Sequence, residues 1–157
     1  MKHQTIVIPF VSCPSEIPMV EINFRSGKCI AAVDSGSEQT VFDQGFADMH
    51  KDDFVSVKTE KTICLKGIAV DTATAVTDTT GQIHLRDITG MMHPVPLKGI
   101  MADMTGLANS FREQYGEQFE FFALIGSDVL KEWGAVIDLR KNVLKLRIPK
   151  KPAQIVA

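Results

Sequence analysis

Eight short runs of β-prone residues follow one another through the first two thirds of the chain: "TIVIPF", "PMVEINF", "KCIAAVD", "FVSVKT", "TICL", "TATAVT", "QIHLRDI" and "HPVPLKGIMAD". Turn formers separate them at Ser26-Gly27, Thr80-Gly81 and Thr89-Gly90, and this cadence of strand and tight turn predicts hairpins assembled into a mainly β fold. In "PMVEINF", Met19, Glu21 and Asn23 alternate with Val20, Ile22 and Phe24, so that strand presents one wet face and one dry face. Residues 29–33 are apolar on both faces, which predicts a strand in the interior of the fold.

Helical spacing occurs twice. In "TGLANSFREQYG", Leu107, Phe111 and Tyr115 recur every fourth residue, with Thr105 placed to cap the helix and Gly116 to stop it. In "SDVLKEWG", Ser127 is the expected cap, Val129, Leu130 and Trp133 form the apolar side, and Gly134 ends the turn. Beyond it, "AVIDL" and "NVLKLRI" read as a closing hairpin that turns at "RKN". No internal repeat or linker divides the chain.

At 157 residues the chain is expected to form one domain with a single sizeable core. Seventeen basic against nineteen acidic residues leave a formal charge of −2, which offers no field for nucleic acid or anionic lipid. The basic stretch "RIPKKP" opens a solvated tail over 147–157. Cys13, Cys29 and Cys64 are odd in number and widely spaced, so they suit a reducing compartment and form no CxxC pair. His3, His50, His84 and His93 have no metal-ligand spacing, so neither a metal nor another cofactor is expected. The apolar run near the amino terminus is too short and interrupted for a signal peptide, and no segment reaches membrane-span length, so the expected location is cytoplasmic.

Against this background "AAVDSGSEQTVFD" places a carboxylate, Asp34, at the end of a strand buried on both sides, where an unpaired charge is costly. Asp34 either forms an ordinary Asx turn that ends the strand, or is a reactive group held in place. Asp128 and Asp138 read as structural, one in the first turn of a helix and one at a strand end. "VDSGS" lacks the G-x-S-x-G elbow of a serine nucleophile.

Small apolar residues leading into Asp34-Ser35-Gly36, followed ninety residues later by "FFALIGSDVLKEWGAVIDLRKNVLKL", together resemble the retropepsin-like aspartic proteases, and among them the bacterial members. Asp34-Ser35-Gly36 matches the catalytic triplet, Leu124-Ile125-Gly126 the apolar-Gly strand, 127–133 the helix after it, and Val136-Ile137-Asp138 the next strand. The similarity spans residues 19–146. It implies a closed β-barrel of the acid protease type with one or two short helices, filling a single domain over 1–157 with its core over 19–146. The helix beginning at Thr105 is an insertion relative to the compact viral enzymes, and Ser37 replaces the Ala common after the triplet.

The resemblance further implies a peptide or protein substrate and a water held between two aspartates, one accepting its proton while the other polarises the scissile carbonyl. The chain has one such triplet; "DTTG" at Asp78 and "DMTG" at Asp103 each carry an extra residue before the glycine. Catalysis would therefore need a homodimer with one Asp34 per subunit, the pair sharing a proton and favouring activity below neutral pH. Ser35 would bond across the dimer axis, and Gly36 would let its backbone N–H approach the carboxylate. The flap is expected within residues 66–71, with Lys66, Gly67, Ile68 and Ala69 touching substrate. The alternative is a catalytically inactive dimerisation or peptide-binding module on the same fold; a domain cut from a larger protein is a third reading.

Overall fold

The computed structural model describes residues 2–24, 27–50, 54–64 and 73–149. In chain order the elements are β1 (His3–Pro9), β2 (Met19–Phe24), β3 (Gly27–Val33), β4 (Val41–Asp43), α1 (Gln44–Met49), β5 (Phe54–Cys64), β6 (Ala73–Arg86) and β7 (Met92–Ala102). They are followed by α2 (Thr105–Tyr115), β8 (Phe121–Ile125), α3 (Ser127–Glu132), β9 (Val136–Asp138) and β10 (Val143–Pro149).

Hydrogen bonding runs in the order β2-β3-β8-β4-β7-β6, and Asn23 opposite His84 joins β6 back to β2. The result is a closed six-stranded barrel, with β5 attached outside it along β6. Closure removes the unpaired edges that an open sheet would expose. A separate antiparallel sheet, β1-β10-β9, adds Ile6, Ile8, Leu144, Leu146 and Ile148 to the same core. The strand pattern runs into the expected tail: Arg147, Ile148 and Pro149 pair with Thr5, Gln4 and His3.

All six barrel strands send side chains into one cluster, including Ile22, Val33, Phe42, Leu85, Leu97 and Phe122. The opposite face of β3, β4, β7 and β8 carries a second cluster around Ile30, Ala32, Val41, Ile100 and Leu124, covered by Ala108 and Phe111 of α2. The apolar character of residues 29–33 on both faces follows from this sandwiching: all five are buried. Burial of the Ile30 or Val33 side chain stabilises the fold by roughly 1.5–3 kcal/mol.

Several local expectations give way to tertiary pairing. Thr80-Gly81 is not a turn; it lies within β6, where Gly81 faces Phe54 of β5 and Leu97 of β7. "TATAVT" and "QIHLRDI" are thus one strand, as are "FVSVKT" and "TICL", because neighbours on either side supply backbone partners that outweigh a weak local turn preference. A third helix, α1, joins the two that were expected. Buried Asp43 caps it by accepting Phe46 N–H at 3.2 Å, and its other oxygen accepts Met104 N–H at 3.1 Å, so one carboxylate anchors the start of both α1 and α2.

The expected helix caps also shift. Met104, not Thr105, is the N-cap of α2, and Asp103 accepts the Thr105 N–H. Gly126, not Ser127, is the N-cap of α3. Among the described residues no helix is long and apolar enough to cross a membrane.

Candidate functional site

The ladder between parallel strands β3 and β8 continues one residue beyond β3, with Asp34 N–H donating to Ile125 O at 2.9 Å. The chain then turns: Gly36 N–H donates to Asp34 Oδ1 at 3.0 Å and Ser37 N–H to Asp34 O at 3.2 Å. Asp34 is half-buried, while Ser35 and Gly36 are exposed. A Cβ on Gly36 would lie 3.2 Å from Asp34 Oδ1, so the glycine here leaves room for the carboxylate. Asp34, Ser35 and Gly36 are thus gathered in one tight turn, with Asp34 Oδ2 uncommitted among the described residues.

Behind the turn, residues 37–40 are fastened to the junction of β8 and α3. Ser37 O accepts Ser127 N–H at 2.7 Å, and the Ser37 hydroxyl donates to Gln39 O at 2.8 Å. Fully buried Thr40 donates its hydroxyl to Asp128 Oδ1 at 2.8 Å and accepts Gly126 N–H at 2.9 Å. Its carbonyl accepts Ile100 N–H from β7 at 3.0 Å. Two glycines make this proximity possible: a Cβ on Gly126 would stand 2.5 Å from Gln39 O, and one on Gly99 would stand 2.5 Å from Thr40 O.

The sequence reading did not identify Thr40 or Gly99, and it gave Asp128 only a place in a helix turn. Asp128 does receive Val129 N–H at 2.8 Å, yet the same oxygen ties down the loop that bears Asp34. The one sequence signal for this network is Gly126 in the Leu124-Ile125-Gly126 run, and its cause is the close passage of the backbone of Ser37 and Gln39.

Beside the exposed tip, Ser35 shares a recess of about 370 Å³ with Leu130, Ala135 and Ile137. Val136 and Leu139 lie next to it in sequence at 55% and 67% exposure. Of the other triplet-like acids, Asp103 accepts bonds from Thr105, which hold its carboxyl below the usual range. Asp78 borders a separate recess with Gln39, Thr40 and Asp128. Lys66, Gly67, Ile68 and Ala69, the expected flap contacts, lie outside the described residues; β5 and β6 are paired as far as Cys64 and Ala73. No group of three potential metal ligands occurs among the described residues. Burial, with Glu120 and Glu21 nearby, pushes the Cys29 thiol well above its ordinary value, so this cysteine is a core residue and not a nucleophile.

No protein-family model matches the chain, and neither does any curated protein. Among solved structures it is similar to the retroviral protease-like domain of Ddi1 from Leishmania major, at 19% identity and a TM-score of 0.47 over 84% of this chain and 89% of that one. It is also similar to a retropepsin-like aspartic protease from Rickettsia conorii, at 16% identity and a TM-score of 0.45 over 93% of this chain and 92% of that one.

Proposed function

We propose that the chain is an aspartic endopeptidase that works as a homodimer, with one Asp34 from each subunit at a shared site. The observation that carries this reading is the state of Asp34: a half-buried acid at the end of a buried strand, on an anchored loop, with one carboxylate oxygen uncommitted among the described residues. The Thr40–Asp128–Gly126 network that braces this loop from behind supports the reading, because an acid acting on a bound molecule needs a fixed backbone.

In this reading a water lies between the two carboxyls. Its oxygen bonds to the scissile carbonyl carbon as the ionised Asp34 takes its proton, while the protonated Asp34 gives a proton to the carbonyl oxygen. Breaking the C–N bond then sends a proton to the leaving nitrogen, so one cycle consumes one water and yields a new carboxyl and a new amine. One chain supplies one such acid, and a two-fold dimer supplies both. The exposed Ser35-Gly36 tip and the apolar recess beside it support this face as the meeting surface, with Ser35 bonding across the axis.

The test is peptide hydrolysis by wild type and Asp34→Asn, with native mass measured on both. Loss of cleavage in a variant that keeps its fold and two-chain mass supports the proposal; retained cleavage, or a wild type that is always a single chain, overturns it. Pepstatin-type transition-state mimics separate an enzyme from a peptide-binding module, because an enzyme binds them far more tightly than an ordinary peptide.

A further inference from the structure

Strand β1 is paired along one side, with β10. Phe10 N–H donates to Asn142 O at 2.9 Å and continues that ladder, so the even-numbered Gln4, Ile6 and Ile8 turn their backbone groups toward β10. The odd-numbered His3, Thr5 and Val7 turn theirs outward. The Val7 carbonyl accepts Ile88 N–H at 2.9 Å, from the turn between β6 and β7. The remaining outward N–H and C=O groups of these three residues have no partner among the described residues, and His3 and Thr5 are exposed. Ile88 thus stands where a strand added to β1 would meet its first neighbour.

Two observations bear on what would cover this edge. The first is charge. Neither residues 1–15 nor residues 139–157 contain an acid, although the whole chain is acidic by two charges. Lys2 is exposed at the head of β1, and exposed Arg147 lies directly across from Thr5 on β10 and makes no ion pair among the described residues. A second copy of the chain would set the same acid-free strands together and leave Arg147 without a counter-charge, whereas an acidic segment supplies one. The second observation is an apolar stop at the end of the edge. Ile88 and Met91 are 61% and 63% exposed, on a turn that Asp87 bonds internally and that Arg86 ties to Gly90 O at 3.1 Å.

We infer that the outer edge of β1 docks an extended segment of a partner protein, acidic at alternate positions and apolar where it reaches Ile88 and Met91. In such strand addition the main chain supplies affinity and alternate side chains select the partner. A carboxylate opposite Thr5 would share the outward face of the sheet with Arg147, one strand further in, and the small Thr5 side chain leaves the way open between them. The site uses neither Asp34 nor its turn, so it stands or falls independently of the protease reading.

The probe is an acetylated, amidated octapeptide of alternating valine and glutamate, with a valine and lysine octapeptide as control. In isotope-labelled protein the glutamate peptide should slow amide exchange at His3, Thr5 and Val7 by at least about tenfold and leave Ile6 and Ile8, already bonded to β10, unchanged. Thr5→Pro removes an outward N–H and no bond to β10, a change that an edge strand tolerates, and should weaken binding by at least about tenfold. Arg147→Gln, at an exposed position, should weaken it about threefold and flatten its dependence on salt. Thermal unfolding checks that each variant is folded, and Arg147→Gln decides the matter if Thr5→Pro is not. No slowing at the three outward amides, equal binding of the lysine peptide, or unchanged affinity in the folded variants overturns the site. Tighter binding of a single-stranded oligothymidylate at the same amides overturns the choice of a protein partner.

Discussion

Asp34 and Asp87 occupy similar positions in the chain and are bonded in opposite ways. Each follows a barrel strand and heads a turn containing a glycine, Ser35-Gly36 in one case and Thr89-Gly90 in the other. Asp87 is fully engaged: Oδ1 accepts Thr89 N–H at 2.8 Å, the Thr89 hydroxyl and Met91 N–H at 3.0 Å, while Oδ2 lies 2.7 Å from buried His93 Nε2. The Thr89 hydroxyl first, and His93 next, hold its carboxyl far below the usual range. The Asp34 carboxylate accepts Gly36 N–H, an ordinary Asx-turn bond, and among the described residues nothing more. Its turn is secured from behind instead, through Thr40, Asp128 and Gly126. The Asp87 carboxylate is used up by the turn it builds, whereas the Asp34 turn is held largely by other residues.

The contrast is broken most directly by exchanging each acid for its amide. Asp34→Asn should lower peptide hydrolysis by about 10²–10⁴-fold while the unfolding temperature stays near wild type. Cleavage assays and thermal unfolding on the same preparation read both quantities. A variant that loses stability and keeps activity would make Asp34 the structural acid and reverse the comparison.

The bracing residues come next. Gly126→Ala places a methyl against the carbonyls of Gln39 and Ser37, 2.5 and 2.8 Å away, which only backbone movement can relieve. A destabilisation of about 3 kcal/mol is expected, together with a fall in hydrolysis, because the loop that moves carries Asp34. Thr40→Val removes a buried hydroxyl that both donates and accepts, leaving the Gly126 N–H without its partner, at a cost of about 2 kcal/mol. Thr40→Ser keeps the hydroxyl and should recover most of both stability and activity. Denaturant unfolding and kcat/KM measured across the three proteins test whether the brace serves the site or only the fold.

Asp87→Asn should show the complementary pattern, with hydrolysis kept and stability reduced. Because the folded carboxyl is held below its ordinary value of 3.8, Asp87 contributes stability above that value and loses it as the pH falls toward the folded value. The wild-type unfolding temperature should therefore drop from about pH 4 downward, and the variant should show a shallower drop over the same range. Equal slopes in the two proteins would show that the Asp87 contacts do not stabilise the turn.

The legible parts of the molecule are those whose cause is local. Alternation in β2, the two-sided apolar run of β3, the spacing of Leu107, Phe111 and Tyr115, and the turn at Thr89-Gly90 each reflect neighbours a few residues away. Thr80-Gly81 misleads because β5 and β7 hold it straight from both sides, and α1 is too short at six residues to show a period. In the candidate site, the triplet around Asp34 stands out in sequence and its support does not. Thr40 meets Gly126 and Asp128 across 86 and 88 residues, and Gly99 matters because the Thr40 carbonyl passes over it. No pattern along the chain encodes such contacts, and the capping roles of Met104 and Gly126 are equally products of the assembled barrel.

The smallest effect is expected at Ser35, and it sharpens the comparison by separating the fold of one chain from the meeting of two. Ser35 is exposed, and its hydroxyl bonds to no described residue, unlike the Thr89 hydroxyl that completes the Asp87 turn. Within one chain, Ser35→Ala should change stability by less than about 0.5 kcal/mol, as an exposed substitution that removes no internal contact. If the hydroxyl bonds across the two-fold axis, each dimer loses two symmetry-related bonds of about 1 kcal/mol, and the dissociation constant should rise by roughly 10–30-fold. Sedimentation over a dilution series reads that constant, and unfolding of the dissociated chain reads the other quantity. An unchanged dimer would leave the turn at Asp34 without the intersubunit bond proposed for it, and a less stable single chain would make Ser35 a turn residue like Thr89.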